Sequence, residues 1–181
     1  DTDLCLRAAD CGYRTVWTPF ANLAWLGEYP LATGFGHDEM VKHGHADADR
    51  MFERWLPKLA ADPAYNPNLS LVEPNRPEVE LSPSWDTTFH SRPRLLGFPV
   101  DESGCGLYRV YAPLWLLEHQ AHAECTLIKP GTRLPELAEL ERLAPDTVLY
   151  QTTLSDIQLE AMRRYRRFHK SFKVFDLDDL K

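Results

Sequence analysis

The chain has 181 residues, of which 44% are apolar and 11% aromatic, so it has enough apolar side chains for a packed core and is not a disordered protein. Its 20 basic and 27 acidic side chains give a formal net charge of -7, which disfavours nucleic acid as a partner because this charge repels phosphate backbones. No apolar run approaches the roughly 18 residues that span a bilayer, so we predict no transmembrane segment in this sequence, while peripheral membrane contact stays open.

Local patterns predict two helices and a strand in the first 71 residues. Asp3 to Cys11 is rich in Leu, Ala and Arg and is followed by Gly12, which predicts a short helix with a left-handed end. Tyr13 to Thr18 alternates and stops at Pro19, which predicts a strand. Leu26 to Gly36 is predicted to be an irregular loop. An amphipathic helix is predicted from apolar side chains at three- and four-residue spacing: Ala48, Met51, Phe52, Trp55, Leu56 and Leu59.

A proline-rich stretch, Asp62 to Pro93, predicts an extended segment that contains a domain boundary. After it, strands and helices alternate, which is typical of a doubly wound parallel sheet with right-handed crossovers. Ser155 with Gln158 predicts a capping box at the start of the last helix. The predicted strands are Leu95–Phe98, Cys125–Ile128, Thr147–Gln151 and Phe172–Leu177, and the predicted helices are Leu107–Gln120, Leu134–Leu143 and Ser155–Lys170.

Four motifs follow one another between residues 1 and 71. They are Asp1-Thr2-Asp3-Leu4-Cys5-Leu6-Arg7, Gly12-Tyr13-Arg14-Thr15-Val16-Trp17-Thr18-Pro19, Phe52-Glu53-Arg54-Trp55 and Asp62-Pro63-Ala64-Tyr65-Asn66-Pro67-Asn68-Leu69-Ser70. This region resembles the closing part of a family 2 glycosyltransferase, a GT-A fold enzyme that transfers a sugar from a nucleotide-sugar donor. The resemblance implies that Asp1 is the general base that takes the proton of the attacking acceptor hydroxyl, and that Asp3 supports it.

Two other interpretations of Asp1 and Asp3 stay open. Asp1-Thr2-Asp3 could be the family's DxD motif, which binds the donor diphosphate through a divalent cation, although that motif should end an early strand rather than open a helix. The two carboxylates could also do no more than cap the helix. A histidine that family members commonly carry after the Trp-Thr-Pro strand is missing from Asn22 to Glu28. Its absence weakens the expectation that the enzyme depends on a metal. A divalent cation, Mg²⁺ or Mn²⁺, stays possible in the complete enzyme, and none is predicted in this chain.

Residues 92 to 181 resemble the beginning of a GT-B type glycosyltransferase, whose first Rossmann-like half usually faces the acceptor. The matching segments are Arg94–Pro99, Ser103–Arg109 and Phe175–Leu180. Gly104 and Gly106 free the backbone between the first strand and its helix, so that a ligand can approach the amides of the helix N-terminus. A tight turn without a ligand is an equally good interpretation, because the full G-x-G-x-x-G pattern is absent.

Three charged residues complete the predicted substrate-binding set. Arg109 lies near the start of the helix and could bind a phosphate or carboxylate, or could form a surface salt bridge. Asp178 and Asp179 follow a strand at the edge where ligand clefts open in doubly wound sheets. They could contact sugar hydroxyls or cap the next element.

The resemblances together imply an α/β fragment of a bacterial multi-domain glycosyltransferase. Residues 1–71 are expected to be the C-terminal remnant of a GT-A domain, residues 72–93 a linker, and residues 94–181 a partial Rossmann-like doubly wound parallel sheet, the first strands of a GT-B N-terminal half. The complete enzyme is expected to use a nucleotide-sugar donor and a glycan or lipid-linked acceptor in surface polysaccharide biosynthesis of the O-antigen or capsule type. It would work in the cytoplasm, at the inner face of the membrane where acceptors are lipid-linked.

Two alternatives to an active transferase come from other classes of protein. The missing histidine is consistent with a degenerate, noncatalytic module that serves as a scaffold or a glycan-binding surface, and in either case the fragment alone is expected to be inactive. A nicotinamide-dependent oxidoreductase is disfavoured because no acidic residue for a ribose follows a complete glycine fingerprint. A basic run in the last helix is expected to be a solvated face or, alternatively, a contact for anionic lipid: Arg163, Arg164, Arg166, Arg167 and Lys170.

Overall fold

The computed structural model describes residues 2–22, 37–71, 78–79, 83, 85–152 and 155–177, with only the backbone described for 37–45. The chain divides into two compact units, Asp1–Arg54 and Trp55–Lys181. The sequence predicts a different division, into residues 1–71, 72–93 and 94–181, which rests on resemblance to two kinds of enzyme domain. That assignment stays a prediction. No helix in the described part of the chain has the length and apolar character needed to cross a membrane.

The first unit begins with helix α1 (Thr2–Asp10), which confirms the helix predicted there. Gly12 adopts a left-handed φ of +83°, and the Tyr13 N–H donates to the Ala8 carbonyl at 3.0 Å. This hydrogen bond satisfies a carbonyl of the last helical turn that would otherwise lack a partner. The glycine signal in the sequence therefore predicted the end of α1 correctly.

The strand predicted at residues 13–18 is wrong. These residues lie in no sheet among the described parts of the chain. Trp17 is 85% exposed and Phe20 is 91% exposed. Alternation of residue types cannot form a strand by itself, because the backbone hydrogen bonds of a strand come from a neighbouring strand. The loop predicted at Leu26–Gly36 lies outside the described residues.

Helix α2 (His37–Ala60) confirms the predicted amphipathic helix and extends it toward the N-terminus. Trp55, Leu56 and Ala60, on the last part of the helix, are buried. Pro57 lies inside this last part. Burial of large apolar side chains is the main source of stability for such a helix, since intrinsic helix propensity contributes little by comparison.

The second unit is built on a four-stranded, fully parallel sheet with the order β2-β1-β3-β4. Each of the four predicted strands is confirmed, with ends that shift by one residue at most. This architecture is α/β and compatible with a Rossmann-like fold. The strands are β1 (Arg94–Phe98), β2 (Glu124–Leu127), β3 (Thr147–Gln151) and β4 (Phe172–Asp176).

Three helices connect these strands, as the alternating pattern predicts. Helix α3 follows β1 and consists of Gly104–Gly106, a π-helical turn at Leu107–Tyr111 and Ala112–His119. Pro113 explains the π-helical turn, because a proline has no N–H to donate and its ring displaces the carbonyl four residues earlier. Helix α4 (Leu137–Leu143) follows β2, and helix α5 (Asp156–Phe168) follows β3. The Ser155 hydroxyl accepts a hydrogen bond from the Gln158 N–H, as predicted for the helix start.

The two faces of the sheet pack against different helices. On one face, Leu95 and Leu149 contact a buried cluster from α3 and β2 that comprises Val110, Leu114, Ala123 and Cys125. Gly97 permits this close packing, because a Cβ atom there would lie 2.6 Å from the Leu114 Cδ1. On the opposite face Tyr150 stacks on Phe98 and on Tyr165 of α5.

The amino ends of three strands are tied together by Arg94 and Asp146. The Arg94 N–H and guanidinium donate three hydrogen bonds of 2.9 to 3.0 Å to the Asp146 carboxylate. The Asp146 N–H returns a bond to the Arg94 carbonyl at 2.9 Å, and the Phe172 N–H donates to the Asp146 carbonyl at 2.8 Å. The hydrogen bonds from Arg94 hold the pKa of Asp146 below its usual value.

The segment before β1 packs on helix α4 through hydrogen bonds. Arg142 donates to the carbonyls of Ala60 and Leu69, and the Trp85 indole N–H donates to the Leu143 carbonyl at 2.8 Å. Trp85 is buried. Leu69 and Trp85, two residues of the stretch predicted to be extended, are therefore packed in the second unit, and the domain boundary predicted in that stretch stays a prediction.

A fully buried carboxylate, that of Glu139 in α4, lies at the centre of this packing. Arg133 donates to both of its oxygens at 2.5 Å, Ser70 donates at 2.9 Å, and the Glu136 N–H donates at 2.7 Å. Burial alone raises the pKa of Glu139, but these hydrogen bonds outweigh it and keep the pKa below the usual value. The charge is stable inside the protein only because each of these donors is in place.

His169, in the turn between α5 and β4, predicts a pH dependence of stability. Burial, together with the nearby Lys173 ammonium, lowers the pKa of His169 from 6.5 to about 4. Between these values the unfolded chain binds a proton that the folded chain does not, so the free energy of unfolding falls by about 3 kcal/mol as the pH falls from 6.5 to 4.

Urea titrations at several pH values measure this loss. A His169→Gln variant is expected to lose most of the slope between pH 6.5 and 4.5, whereas a variant of the exposed His122, His122→Gln, is expected to keep it. Equal slopes in the two variants would contradict the assignment.

Candidate functional site

The residues predicted for catalysis and binding fall into three groups in the structure. Asp1, Asp178 and Asp179 lie outside the described residues. Asp3 lies in the first unit, on α1. Gly104, Gly106 and Arg109 lie in the second unit, in the loop and first turns after β1.

Asp3 is held by two arginines. Its carboxylate accepts from the Arg7 Nε at 2.9 Å, one helical turn away, and from Arg54 on α2 at 3.1 Å. Its side chain is 37% exposed, so water screens both ion pairs and each contributes little to stability. The two pairs nevertheless fix the position of the carboxylate beside the start of α1. The supporting role that the resemblance implies for Asp3 stays a prediction.

The glycine turn after β1 is closed by a carboxylate of the chain itself. The Asp101 Oδ1 accepts from the N–H groups of Ser103 and Gly106, each at 3.0 Å. These N–H groups belong to the helix N-terminus, where a bound anion would otherwise accept their hydrogen bonds. The geometry agrees with a tight turn that needs no ligand, and ligand binding by Gly104 and Gly106 stays a prediction.

Gly106 is required by the path of the backbone. A Cβ atom there would lie 1.9 Å from the Asp101 carbonyl oxygen, a distance that no relaxation of a flexible side chain can relieve. Gly104 has open space around it but a left-handed φ of +50°.

Arg109 forms a two-pronged ion pair with Asp176 at the end of β4. The Arg109 Nε donates to Oδ2 at 2.7 Å, and Nη2 donates to Oδ1. The hydrogen bonds from Arg109 lower the pKa of Asp176. This pair connects α3 with the last strand. Arg109 was predicted from the sequence as a binding residue, but its partner was not, because a contact between residues 67 positions apart leaves no local pattern.

A crevice of about 160 Å³ opens at the carboxyl ends of β1, β2 and β3. In the sheet, β2 lies on one side of β1, and β3 and β4 lie on the other side. The crevice therefore lies at the point where the strand order reverses. Open α/β sheets bind ligands at this point. The crevice is lined by Phe98, Pro99, Val100, Ile128, Lys129, Pro130, Gly131, Thr132, Leu134, Tyr150, Gln151, Thr152, Gln158 and Met162.

Three consecutive residues at the end of β3, which all contribute to the lining of this crevice, also have polar atoms that are buried. The Tyr150 hydroxyl, the Gln151 Nε2 and the Thr152 hydroxyl are buried and have no hydrogen-bond partner among the described residues. The Gln151 Oε1, by contrast, accepts from the Val100 N–H at 3.1 Å. Buried polar groups are nearly always paired, so three unpaired groups in consecutive residues are unusual.

The backbone at Thr152 is also unusual. Its φ of 35° lies in the left-handed region, which β-branched residues rarely adopt. Its N–H donates to the Asp176 carbonyl at 2.9 Å, which helps to hold this conformation. Such conformations cost free energy and concentrate at functional sites.

The sequence contained a signal for a crevice at the end of β3. The strand Thr147–Gln151 was predicted correctly, and the rule that ligands bind beyond the carboxyl ends of parallel strands applies to it as it does to the last strand. Tyr150, Gln151 and Thr152 are not among the residues predicted from the sequence, because neutral polar side chains give no distinctive local signal.

No described group of three or more His, Cys, Asp or Glu side chains is arranged to hold a metal ion. The described cysteines are all free thiols.

Comparisons with known proteins give one informative match. The chain is 38% identical over 96 residues to the uncharacterized protein y4gI of Sinorhizobium fredii (strain NBRC 101917 / NGR234), over 47% of this chain and 9% of that protein. The chain thus matches a small part of a much longer relative, whose name states no activity. No protein family description matches the chain. No solved structure matches it either.

Two neighbouring tyrosines provide a matched test of the unpaired hydroxyl. We expect Tyr150→Phe to raise the free energy of unfolding by about 1 kcal/mol, because it removes a buried hydroxyl that has no partner. We expect Tyr165→Phe to lower it by about 1 kcal/mol, because the Tyr165 hydroxyl donates to the Pro135 carbonyl. Urea titration measures both values, and equal losses in both variants would mean that Tyr150 has a partner after all.

The two glycines of the turn after β1 provide a second matched test, in which each is replaced by alanine. We expect Gly106→Ala to lower the free energy of unfolding by about 3 kcal/mol, because its Cβ atom meets backbone. We expect Gly104→Ala to lower the free energy of unfolding by only about 1 kcal/mol, which is the cost of an alanine in the left-handed region. Thermal and urea unfolding compare the two, and a smaller loss for Gly106→Ala would contradict this account of the turn.

Proposed function

We propose that this chain is a fragment of a bacterial glycosyltransferase that transfers a sugar from a nucleotide-sugar donor to a glycan acceptor in surface polysaccharide biosynthesis. The observation that carries the proposal furthest is the crevice at the carboxyl edge of the parallel sheet, at the point where the strand order reverses. The four ordered motifs of residues 1–71 supply the reaction class, which the crevice alone does not define.

In this proposal Asp1 acts as the general base. It takes the proton of the acceptor hydroxyl while the hydroxyl oxygen forms a bond to the anomeric carbon and the bond to the nucleoside diphosphate breaks. One displacement inverts the anomeric centre. Asp3, held by Arg7 and Arg54, keeps a fixed negative charge beside the start of α1. The donor and any divalent cation are bound mostly by residues that this chain does not supply.

The second unit has the acceptor-facing role in the proposal. Its helix α5 carries Arg163, Arg166 and Arg167 on exposed positions. Exposed basic side chains attract anionic headgroups and phosphates, which favours a lipid-linked acceptor at the inner face of the membrane. The same side chains also suit a solvated helix end, because cations interact favourably with the negative C-terminal end of the helix dipole.

Substitution of Asp1 in the complete protein tests the reaction class. We expect Asp1→Asn to lower transfer of radiolabelled sugar to the glycan acceptor by at least about 10²-fold, since general-base catalysis contributes about 10² to 10⁴-fold, while donor affinity stays the same. Asp10→Asn, the same change at the other end of α1, serves as the control and should transfer normally.

Two results would redirect the proposal. Unchanged turnover in Asp1→Asn removes Asp1 from the mechanism. A complete wild-type protein that binds glycan but transfers no sugar from any nucleotide-sugar donor would instead favour the noncatalytic scaffold or glycan-binding module.

A further inference from the structure

Two segments that are far apart in the sequence meet at the buried Glu139 carboxylate of α4. One is residues 62–70, at the start of the proline-rich stretch. The other is the loop between β2 and α4, residues 128–136, here called the crevice loop because several of its residues line the crevice. We infer that Glu139 couples these two segments, so that release of residues 62–70 loosens the crevice loop. The inference goes beyond the proposed function and does not depend on it.

A closed ring of three hydrogen-bonded side chains forms the junction between the segments. The Ser70 hydroxyl donates to the Glu139 Oε1 at 2.9 Å and accepts from the Arg133 guanidinium at 3.2 Å. Arg133 also donates to both carboxylate oxygens of Glu139 at 2.5 Å. Because each side chain contacts the other two, loss of one changes the surroundings of both others.

Burial makes this junction sensitive to the loss of a single donor. Glu139 has no exposed surface and Ser70 is 3% exposed, so water cannot replace a lost hydrogen bond while the segments stay closed. A buried charge that loses a partner is costly. Without the Ser70 hydroxyl, the closed junction therefore lies nearer in free energy to an open state in which water solvates the carboxylate, and the crevice loop opens more often.

The crevice loop carries Arg133 between two residues of the crevice lining. Thr132 and Leu134 line the crevice, whereas the Arg133 side chain between them bonds to Glu139. At the end of the loop the Glu136 N–H donates to the Glu139 Oε2 at 2.7 Å. The position of this part of the lining thus depends on Glu139, through one side chain and one backbone group.

The segment of residues 62–70 places the Ser70 hydroxyl at this junction. The Tyr65 hydroxyl donates to the Ser70 carbonyl at 2.7 Å. Arg142 of α4 donates to the Leu69 carbonyl at 2.8 Å, and its guanidinium lies over the Tyr65 ring. Displacement of this segment from α4 would withdraw the Ser70 hydroxyl from Glu139.

Coupling through one carboxylate works in both directions. A contiguous hydrogen-bonded network provides the physical route. Linkage requires that a change which opens the crevice loop also loosens residues 62–70 by the same free energy. The two segments therefore give two separate measurements of one coupling.

Hydrogen exchange of the ¹⁵N-labelled chain, followed by NMR, measures the opening of each segment. We expect Ser70→Ala to raise the exchange rates of the amides at residues 131–134 and 136 at least about tenfold, because it removes a buried hydrogen bond to a charged group. Arg133→Lys keeps the positive charge but lacks the two-pronged donor. We expect it to raise the exchange rate of the Ser70 amide by a similar factor.

Ser171→Ala is the matched control. Ser171 is 8% exposed and its hydroxyl lies 2.8 Å from the His169 Nδ1, so this change also removes a buried, hydrogen-bonded hydroxyl, in the turn before β4. We expect it to leave the exchange rates of the crevice loop unchanged, because the loop opens locally rather than through unfolding of the whole chain.

A double variant tests whether the ring acts as a unit. Once Ser70→Ala has opened the ring, the addition of Arg133→Lys is expected to raise the exchange rates of the crevice loop by clearly less than the product of the two single effects.

Each other result overturns the inference. Unchanged exchange of the crevice loop in Ser70→Ala, or of the Ser70 amide in Arg133→Lys, would show that the two segments open independently. An equal rise in Ser171→Ala would assign the effect to overall stability. Effects that multiply fully in the double variant would show that Ser70 and Arg133 act separately on Glu139.

Discussion

The interaction between Arg94 and Asp146 sets the alignment of the sheet. Arg94 opens β1 and is buried, and Asp146 directly precedes β3. Their side chains and backbones bond to each other, and the Asp146 carbonyl also accepts from the first residue of β4. A shift of any of these strands by one residue would separate a buried guanidinium from its carboxylate and turn the apolar side chains to the wrong face.

Most of the second unit could be predicted from local sequence patterns, because its elements are defined by local physics. A strand such as Thr147–Gln151 is a short apolar run between turn residues, and α5 has a recognisable cap in Ser155 and Gln158. The π-helical turn of α3 was not predicted, although Pro113 marks its cause. The strand predicted at residues 13–18 is absent, which shows what local sequence patterns leave undetermined. Its pattern was adequate, but a strand depends on a partner that no local pattern can supply.

The candidate site was less predictable than the fold, for a physical reason. Local sequence patterns single out groups that carry charge or special backbone freedom, here Gly104, Gly106 and Arg109. In the structure the Gly106 N–H is bonded to Asp101 and the Arg109 guanidinium to Asp176, so both of these groups have a partner within the chain. Tyr150 and Gln151 attract little notice in a sequence, because neutral polar side chains occur everywhere. Only the structure distinguishes them, since burial without a partner is a property of three-dimensional surroundings.

The hydrogen bonds between α4 and the segment before β1 change what counts as the smallest stable piece of this protein. A polypeptide beginning at Arg94 would contain every strand of the sheet, yet Glu139 would lack the Ser70 hydroxyl, and Arg142 would lack both of its carbonyl partners. The apolar surface under Trp85 would be open to water. For recombinant work the unit should therefore start before Trp55, where the last turns of α2 supply the missing cover.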